Sequence, residues 1–446
     1  MVKVITYGTY DLLHQGHINL LRRAKELGDY LIVGVTSDSF DLGRGKLNVR
    51  NNVLERVEAV KATGYADEVI IEDYTGQKID DIQKYDVDIF AIGSDWEGKF
   101  DYLNEYCKVV YLPRTEGISS TQLRAESQEV FRMGVIGTGR IANRFVPESK
   151  VVSGVDIVSV YNPDTAEADS FASKFGLSSY PDLESFLESV DAVYIASPHL
   201  THYDYAKRAL LSGKHVLCEI PFMLSESHAK ELYDLAEQKH LVLLEASKTA
   251  FCPAFNHIVT LVKSGVVGDV VDVKASLSKM VLPPTRELDA SQAGGAMNEH
   301  APLTLLAVVK LLGRDYSNVD FHSKMEGGVD IFTRAVINYP HATSSITLGI
   351  GVKTEGNLVV SGTKGYIYVP APWWLTDFFE VRYEDQTKNK KFFYSYDGEG
   401  LRYEIQEFIS MIVSGRISSY KLRRRDSIAI SGIIEKFNKR ENFTEI

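Results

Sequence analysis

The sequence predicts an α/β chain: two successive doubly wound parallel sheets, then an α+β region on a mostly antiparallel open sheet. Three observations carry this prediction. Short apolar strands alternate with amphipathic helices from the first residues, and this pattern restarts once near residues 127–131. Beyond about residue 266 the strands lengthen and the helices thin out. A length of 446 residues also exceeds what one hydrophobic core supports. The expected domains are 1–128, 129–252 and 253–446.

In order, "VKVITYG" is the first strand, and "INLLRRAKELG" has helical periodicity with Gly28 read as its C-cap. "YLIVGVTS", "ADEVII", "VDIFAIGSD" and "CKVVYLP" are further strands, and a charged helix is expected to end near Glu129. "FRMGVIG" opens the second sheet, continued by "VDIVSVYN", "DAVYIAS" and "KHVLCEI". "DVVDVKASLSKM", "DIFTRAVINYP", "SSITLGIGV" and "NLVVSGTKGYIYVP" read as longer strands, with "GLRYEIQEFISMIVSG" as the closing helix. Trp373 and Trp374 read as sheet or oligomer packing rather than as a substrate lid.

Hydrophobic residues at 44% and charged residues at 24% fit a soluble globular protein. The formal net charge of −11 argues against nucleic-acid binding, which needs basic surface, but leaves room for a small phosphorylated ligand. Cys107, Cys218 and Cys252 are scattered, which indicates neither a disulfide framework nor a zinc site. No secretory signal or membrane-spanning run is read, so the expected location is the cytoplasm, without membrane insertion.

The chemistry begins at "YGTYDLLHQGHINLL", where His14 and His17 lie one helical turn apart after an apolar strand. One reading is a strand–turn–helix crossover with incidental histidines. The other is a phosphate cradle: a helix start attracts anions, and imidazoles at i and i+3 share one face. Gly8 and Gly16 would let backbone approach a ligand. "RTEGISST" then offers Arg114 with Ser119, Ser120 and Thr121 at a second helix start, which favours the cradle.

"YGTYDLLHQGHINLLRRAKELGDYLIVGV", "GSDWEGKFDYL" and "VVYLPRTEGISS" resemble the glycerol-3-phosphate cytidylyltransferases, within the HxGH nucleotidyltransferases, over residues 1 to about 126. The resemblance implies transfer of CMP from CTP to glycerol phosphate or a similar alditol phosphate, releasing pyrophosphate. It implies that His14 and His17 stabilise the transition state and that Lys46 and Arg114 hold the triphosphate. Thr9, Tyr10, Gly16, Asp95, Thr115, Gly117, Ser119 and Thr121 would line the nucleotide site, while Arg44 and Lys78 would meet the substrate phosphate. Mg²⁺ would ride on the CTP phosphates rather than in a protein cage. One departure is Gly64 in "GYADEV", where these relatives usually carry arginine. Nearby Lys61 is a candidate to compensate.

"GVIGTGRIA" places Gly137, Gly139, Ile141 and Ala142 in a GxGxxA pattern between strand and helix, a dinucleotide-binding signal. Asn162 stands where an NAD site would carry an acid, with Asp164 slightly late, so NAD and NADP both remain open. With "IASPHLTHYDYAKRALLSGKHVLCEIPF", the chain from about residue 131 onward resembles the Gfo/Idh/MocA oxidoreductases. By that resemblance Ser197 lines the nicotinamide side and Glu219 opens a motif whose usual lysine is Ile220 here. A usual catalytic His or Tyr aligns with Leu303 in "GGAMNEHAPL". Lys248 and His300 are the candidate catalytic replacements, with His300 expected on a loop aimed at a cleft. The expectation is a bifunctional homo-oligomeric enzyme. The alternative is a cytidylyltransferase with a noncatalytic binding or oligomerisation module.

Overall fold

The computed structural model describes residues 1–37, 40–41, 49, 51, 53–73, 76–113, 130–394, 396 and 398–446. The chain divides into two compact units, Met1–Val130 and Phe131–Ile446.

In the first unit, β1 (Lys3–Gly8), β2 (Tyr30–Thr36), β3 (Glu68–Glu72), β4 (Ile89–Gly93) and β5 (Lys108–Leu112) form one parallel sheet of order β3-β2-β1-β4-β5. Strands buried on both faces need unbroken apolar runs, and β1 and β2 supply them. Helices α1 (Gln15–Lys25), α2 (Val53–Ala62) and α3 (Gln77–Tyr85) make the crossovers. Strand order reverses between β1 and β4, so the loop after β1 opens at a switch point, where α/β sheets bind ligands. Gly28 is not the C-cap of α1: the helix ends at Lys25, and Glu26 caps it. A Cβ on Gly28 would lie 2.6 Å from the Val2 carbonyl oxygen, so close approach to the start of β1 selects the glycine.

The second unit begins with a parallel sheet of β6 (Phe131–Ile136), β7 (Val155–Tyr161), β8 (Ser178–Ser179), β9 (Ala192–Ile195), β10 (His215–Glu219) and β11 (Leu243–Ala246), ordered β11-β10-β9-β6-β7-β8. Its helices are α4 (Arg140–Ser149), α5 (Thr165–Phe175), α6 (Leu183–Glu188), α7 (His202–Leu211) and α8 (Glu226–Gln238). The switch point lies between β6 and β9.

After α9 (Pro253–Lys263), a mixed sheet of nine strands follows. These are β12 (Val270–Ser278), β13 (Asn318–Glu326), β14 (Val329–Asn338), β15 (Thr343–Gly349), β16 (Leu358–Gly362), β17 (Tyr366–Val369), β18 (Phe378–Arg382), β19 (Lys390–Phe393) and β20 (Phe443–Glu445). Only the β12–β15 and β13–β20 pairings are parallel. Helix α10 (Ala296–Leu312) packs on β12, β14 and β15. Trp373 is fully buried, and its Nε1 donates to the Ser276 carbonyl oxygen at 2.9 Å, which makes it sheet packing.

Two expectations fail here. Residues 357–370 are not one strand but the hairpin β16–β17, where Gly362 N–H donates to the Gly365 carbonyl oxygen at 2.9 Å. Leu401–Val413 (α11) does not close the chain, because α12 (Arg424–Asn438) and β20 follow it. Buried Ile430, Ile433, Ile434 and Phe437 give α12 the i, i+3, i+4, i+7 stripe that packs on α8 and α10. Among the described residues no helix is long and apolar enough to cross a membrane.

The glycine pair before α10 is set by packing. Gly295 holds φ +110, and a Cβ there would run into the Asp330 carboxylate, which accepts from Met297 N–H at 2.9 Å. Gly295→Ala is expected to destabilise the second unit by on the order of 2 kcal/mol, read as a lower thermal midpoint.

Candidate active sites

The first site is built on the turn after β1. Tyr10 and Leu12 both take left-handed backbone (φ 54 and φ 47), which folds the chain back before α1. Tyr10 is buried, and burial pushes its hydroxyl well above the ordinary tyrosine range. A Cβ on Gly8 would lie 3.0 Å from the Tyr10 ring, so the clearance at Gly8 is filled by Tyr10 rather than kept for a ligand. His14 is the N-cap of α1, and its Nδ1 accepts from Gly16 N–H at 3.0 Å. That bond leaves the Nε2 edge of a neutral His14 as a donor. His17 stacks on His14 with ring centroids 3.9 Å apart and an interplanar angle of 22°, and Tyr10 meets His17 edge-on at 5.5 Å. Two imidazoles are thereby held together at the positive end of a helix.

Behind this turn lies Arg56, a residue that the motif reading passed over. Its side chain is fully buried. Nη1 donates to the carbonyl oxygens of Thr9 and Thr36, both at 2.8 Å, and pairs with Asp41 at 3.2 Å, while Nε donates to the Asn51 carbonyl oxygen at 2.9 Å. Asp41 also accepts from the hydroxyls of Thr9 (3.0 Å) and Thr36 (2.5 Å). One guanidinium therefore ties the β1 turn to the end of β2. The signal was its spacing: Arg56 falls on the stripe of Val53, Val57 and Val60, where an apolar residue belongs.

Lys78 in α3 pairs with buried Glu72 and lies over the Tyr7 ring, 4.5 Å from its centroid. Asp95 is exposed on the short turn Ser94–Trp96 after β4. Gly64 ends the turn after α2 at φ +73, and Lys61 pairs with Glu58 at 2.9 Å. Arg44, Lys46, Arg114, Thr115, Gly117, Ser119 and Thr121 lie outside the described residues.

The second site gathers at the β6–β9 switch point. Gly137 holds φ +102, and a Cβ there would lie 2.5 Å from the Ala196 carbonyl oxygen. Gly139 is the N-cap of α4 and faces open space, the cradle that a dinucleotide phosphate needs above helical N–H groups. Ile141 sits half-buried in the first turn of α4. Asn162, just past β7, donates through Nδ2 to the Thr138 hydroxyl at 2.7 Å and to Glu167 Oε2 at 3.0 Å. The buried His202 ring lies between the carbonyl oxygens of Ser197 (2.9 Å) and Pro221 (3.0 Å), joining the turns after β9 and β10.

Glu219 accepts from the Tyr194 hydroxyl at 2.5 Å and from Ile220 N–H at 3.1 Å. Burial pushes both Glu219 and Glu404 above the usual carboxyl range, with Lys248 opposing the shift. Lys248 opens a short 3-10 helix just after β11, whose last paired residue, Ala246, lies opposite Glu219. Its Nζ donates to the Glu399 carbonyl oxygen at 2.7 Å.

His300 lies in the helix α10 and not on a loop, because the two glycines before it end the turn earlier. Burial pushes His300 down to about 4, and its Nε2 has no hydrogen-bond partner among the described residues. Leu303 follows in the same helix. The structure adds a cluster that the motifs did not announce. Arg286 Nη2 meets Glu299 Oε1 at 2.9 Å, Arg286 Nη1 lies 3.4 Å from His199 Nδ1, and His199 Nε2 lies 3.6 Å from Glu299. Burial pushes Glu299 up to about 7, against the pull of Arg286, and holds His199 down at about 2. His199 and Glu299 stood inside the quoted motifs "SPHLTH" and "NEH", but only the fold brings them together.

Residues 5–126 match the family described as cytidylyltransferase-like. The same region is 54% identical over 131 residues to glycerol-3-phosphate cytidylyltransferase of Bacillus spizizenii, covering 28% of this chain and 97% of that one. The chain belongs to the cytidylyltransferase-like family. Residues 131–247 match the Gfo/Idh/MocA oxidoreductase family with its NAD-binding Rossmann fold. Trans-1,2-dihydrobenzene-1,2-diol dehydrogenase of Xenopus laevis is 25% identical over 318 residues, covering 68% of this chain and 96% of that one. A 3-ketoreductase from Actinomadura kijaniata, solved with NADP and TDP-benzene, superposes with a TM-score of 0.64 at 21% identity, covering 71% of this chain and 99% of that one. That last likeness concerns the fold. The cytidylyltransferase-like chain thus carries a Gfo/Idh/MocA oxidoreductase domain as its second unit.

Two outcomes follow from this geometry. Arg56→Met removes the buried guanidinium paired with Asp41 and is expected to destabilise the first unit by roughly 3–5 kcal/mol in urea unfolding. His300 binds its proton less readily when folded (about 4) than when unfolded (6.5), so its contribution is complete above the unfolded value and is lost as pH falls towards 4. His300→Gln is therefore expected to flatten the pH dependence of the second unit's unfolding free energy between those two values, relative to the parent chain.

Proposed function

We propose that the chain is a bifunctional enzyme. Its first unit transfers CMP from CTP to glycerol phosphate or a similar alditol phosphate. A phosphate oxygen of the alditol phosphate attacks the α-phosphorus, the bond to the β-phosphate bridging oxygen breaks, and pyrophosphate leaves with the electron pair. No covalent enzyme intermediate forms, so the unit's task is positioning and charge stabilisation. His14 and His17 donate ring N–H groups to the α-phosphate oxygens as charge builds there. In this reading Lys46 and Arg114 hold the β- and γ-phosphates, while Arg44 and Lys78 meet the phosphate of the alditol. Mg²⁺ arrives on the CTP phosphates, consistent with the carboxylates beside the site, Asp11 and Asp41, being engaged by Asn51 N–H (3.1 Å) and Arg56 (3.2 Å).

The observation that carries this reading is the stacked His14–His17 pair at a switch point, inside a region 54% identical to a cytidylyltransferase along 97% of that relative. The second unit, as we read it, uses NAD(P) to make the polyol phosphate or its precursor. Lys248 and His300 stand in for the usual lysine and the usual His or Tyr, missing at Ile220 and Leu303. Tethering the two steps raises the local concentration of the intermediate. A homo-oligomer working in the cytoplasm and supplying a cell-wall or capsule polymer completes the proposal.

With CTP and glycerol 3-phosphate, the full chain is expected to release pyrophosphate and form CDP-glycerol, detected by ³¹P NMR. His17→Ala is expected to lower turnover by about 10²–10⁴-fold with the circular dichroism spectrum unchanged. Near-normal turnover in that variant would contradict the assignment.

A further inference from the structure

The parallel sheet of the second unit lacks an acid at the end of its second strand, because Asn162 directly follows β7. In dinucleotide-binding sheets that strand end faces the adenosine ribose. A carboxylate there binds the free 2′-hydroxyl of NAD, whereas a cation accommodates the 2′-phosphate of NADP. The structure returns a carboxylate to this place from five residues downstream. Glu167, in the first turn of α5, brings Oε2 to 2.9 Å from the Thr138 hydroxyl and 3.0 Å from Asn162 Nδ2. Thr138 stands between the two glycines of the GxGxxA turn, so Glu167 bridges the glycine turn and the end of β7.

Asn162 is spent on holding this arrangement. Its Nδ2 serves Thr138 and Glu167, and its Oδ1 accepts from Asp164 N–H at 3.0 Å. Glu167 Oε1 makes no hydrogen bond or ion pair among the described residues, and the side chain is exposed, so an acceptor faces solvent beside the glycine turn. Among the described residues, no lysine or arginine side chain is hydrogen-bonded or ion-paired to Thr138, Asn162 or Glu167. Lys174, in the same helix as Glu167, is turned to Asn143 at 2.7 Å.

We propose that Glu167 selects NAD(H) over NADP(H), accepting from the ribose 2′-hydroxyl and repelling a 2′-phosphate. This rests on the second unit being a dinucleotide-binding oxidoreductase and names the cofactor that the sequence left open. Thr138 and Asn162 act as positioning residues that hold the carboxylate at the strand end.

The test is equilibrium binding of NADH and NADPH to the full chain, read by nicotinamide fluorescence, which needs neither turnover nor a known carbonyl substrate. The parent chain is expected to bind NADH at least about tenfold more tightly than NADPH, and Glu167→Gln to bring the two affinities within about threefold, through weaker NADH and stronger NADPH binding. Glu167 is exposed, so the variant's thermal midpoint is expected to match the parent's. Equal or tighter NADPH binding by the parent chain overturns the proposal, as does an unchanged preference in Glu167→Gln. Binding of neither dinucleotide overturns the cofactor reading on which the proposal rests.

Discussion

A parallel strand that stops at a switch point delivers its chain to a helix start whose first N–H groups have no helical partner. Both units are organised by that constraint. Those N–H groups must be met by a cap or a ligand, and the two units meet the demand differently. In the first, the His14 side chain caps α1, with His17 stacked on it. In the second, Gly139 caps α4 without a side chain and leaves the space above it open. The difference suits the chemistry proposed for each: in that reading one turn would stabilise a reacting phosphorus with side-chain donors, and the other would cradle a cofactor phosphate with backbone.

A turn that carries candidate site residues must be held in place from below. In the first unit that support is the ion pair of Arg56 and Asp41, with the Thr9 and Thr36 carbonyl oxygens completing the guanidinium's bonds. A buried charge pair persists only when its remaining polar atoms are satisfied, and here the partners are the backbone groups that need positioning. In the second unit Asp330 holds the start of α10, and the Arg286–Glu299–His199 cluster joins the loop before α10 to the end of β9. Within that cluster burial raises the Glu299 carboxyl to about 7, against the pull of Arg286.

Much of the fold was legible because parallel strands between helices are continuous apolar runs. The strand ends were legible because glycine and histidine patterns concentrate there. The failures share a cause, which is that long-range packing decided them. Gly28 looks like a helix cap until β1 is folded beside it. The run 357–370 has strand composition throughout, and only the pairing of β16 with β17 reveals the turn. Arg56 earns its role from carbonyl groups 47 and 20 residues away. Arg286 and His199 meet across 87 residues of sequence. His300 follows two glycines, as loop residues do, yet Asp330 starts a helix before it.

The two units pose a chemical question about order. In the proposed reading the first unit consumes an alditol phosphate, and reduction of a carbonyl phosphate by the second would produce one. The most direct measurement is ³¹P NMR of the full chain mixed with CTP, NADH and a panel of short-chain keto- and aldehyde-phosphates, with nicotinamide absorbance followed alongside. One carbonyl phosphate is expected to yield a CDP-alditol, with NADH oxidised in step with pyrophosphate release. Formation of CDP-alditol only from a preformed alditol phosphate, with NADH untouched by every carbonyl offered, would contradict it.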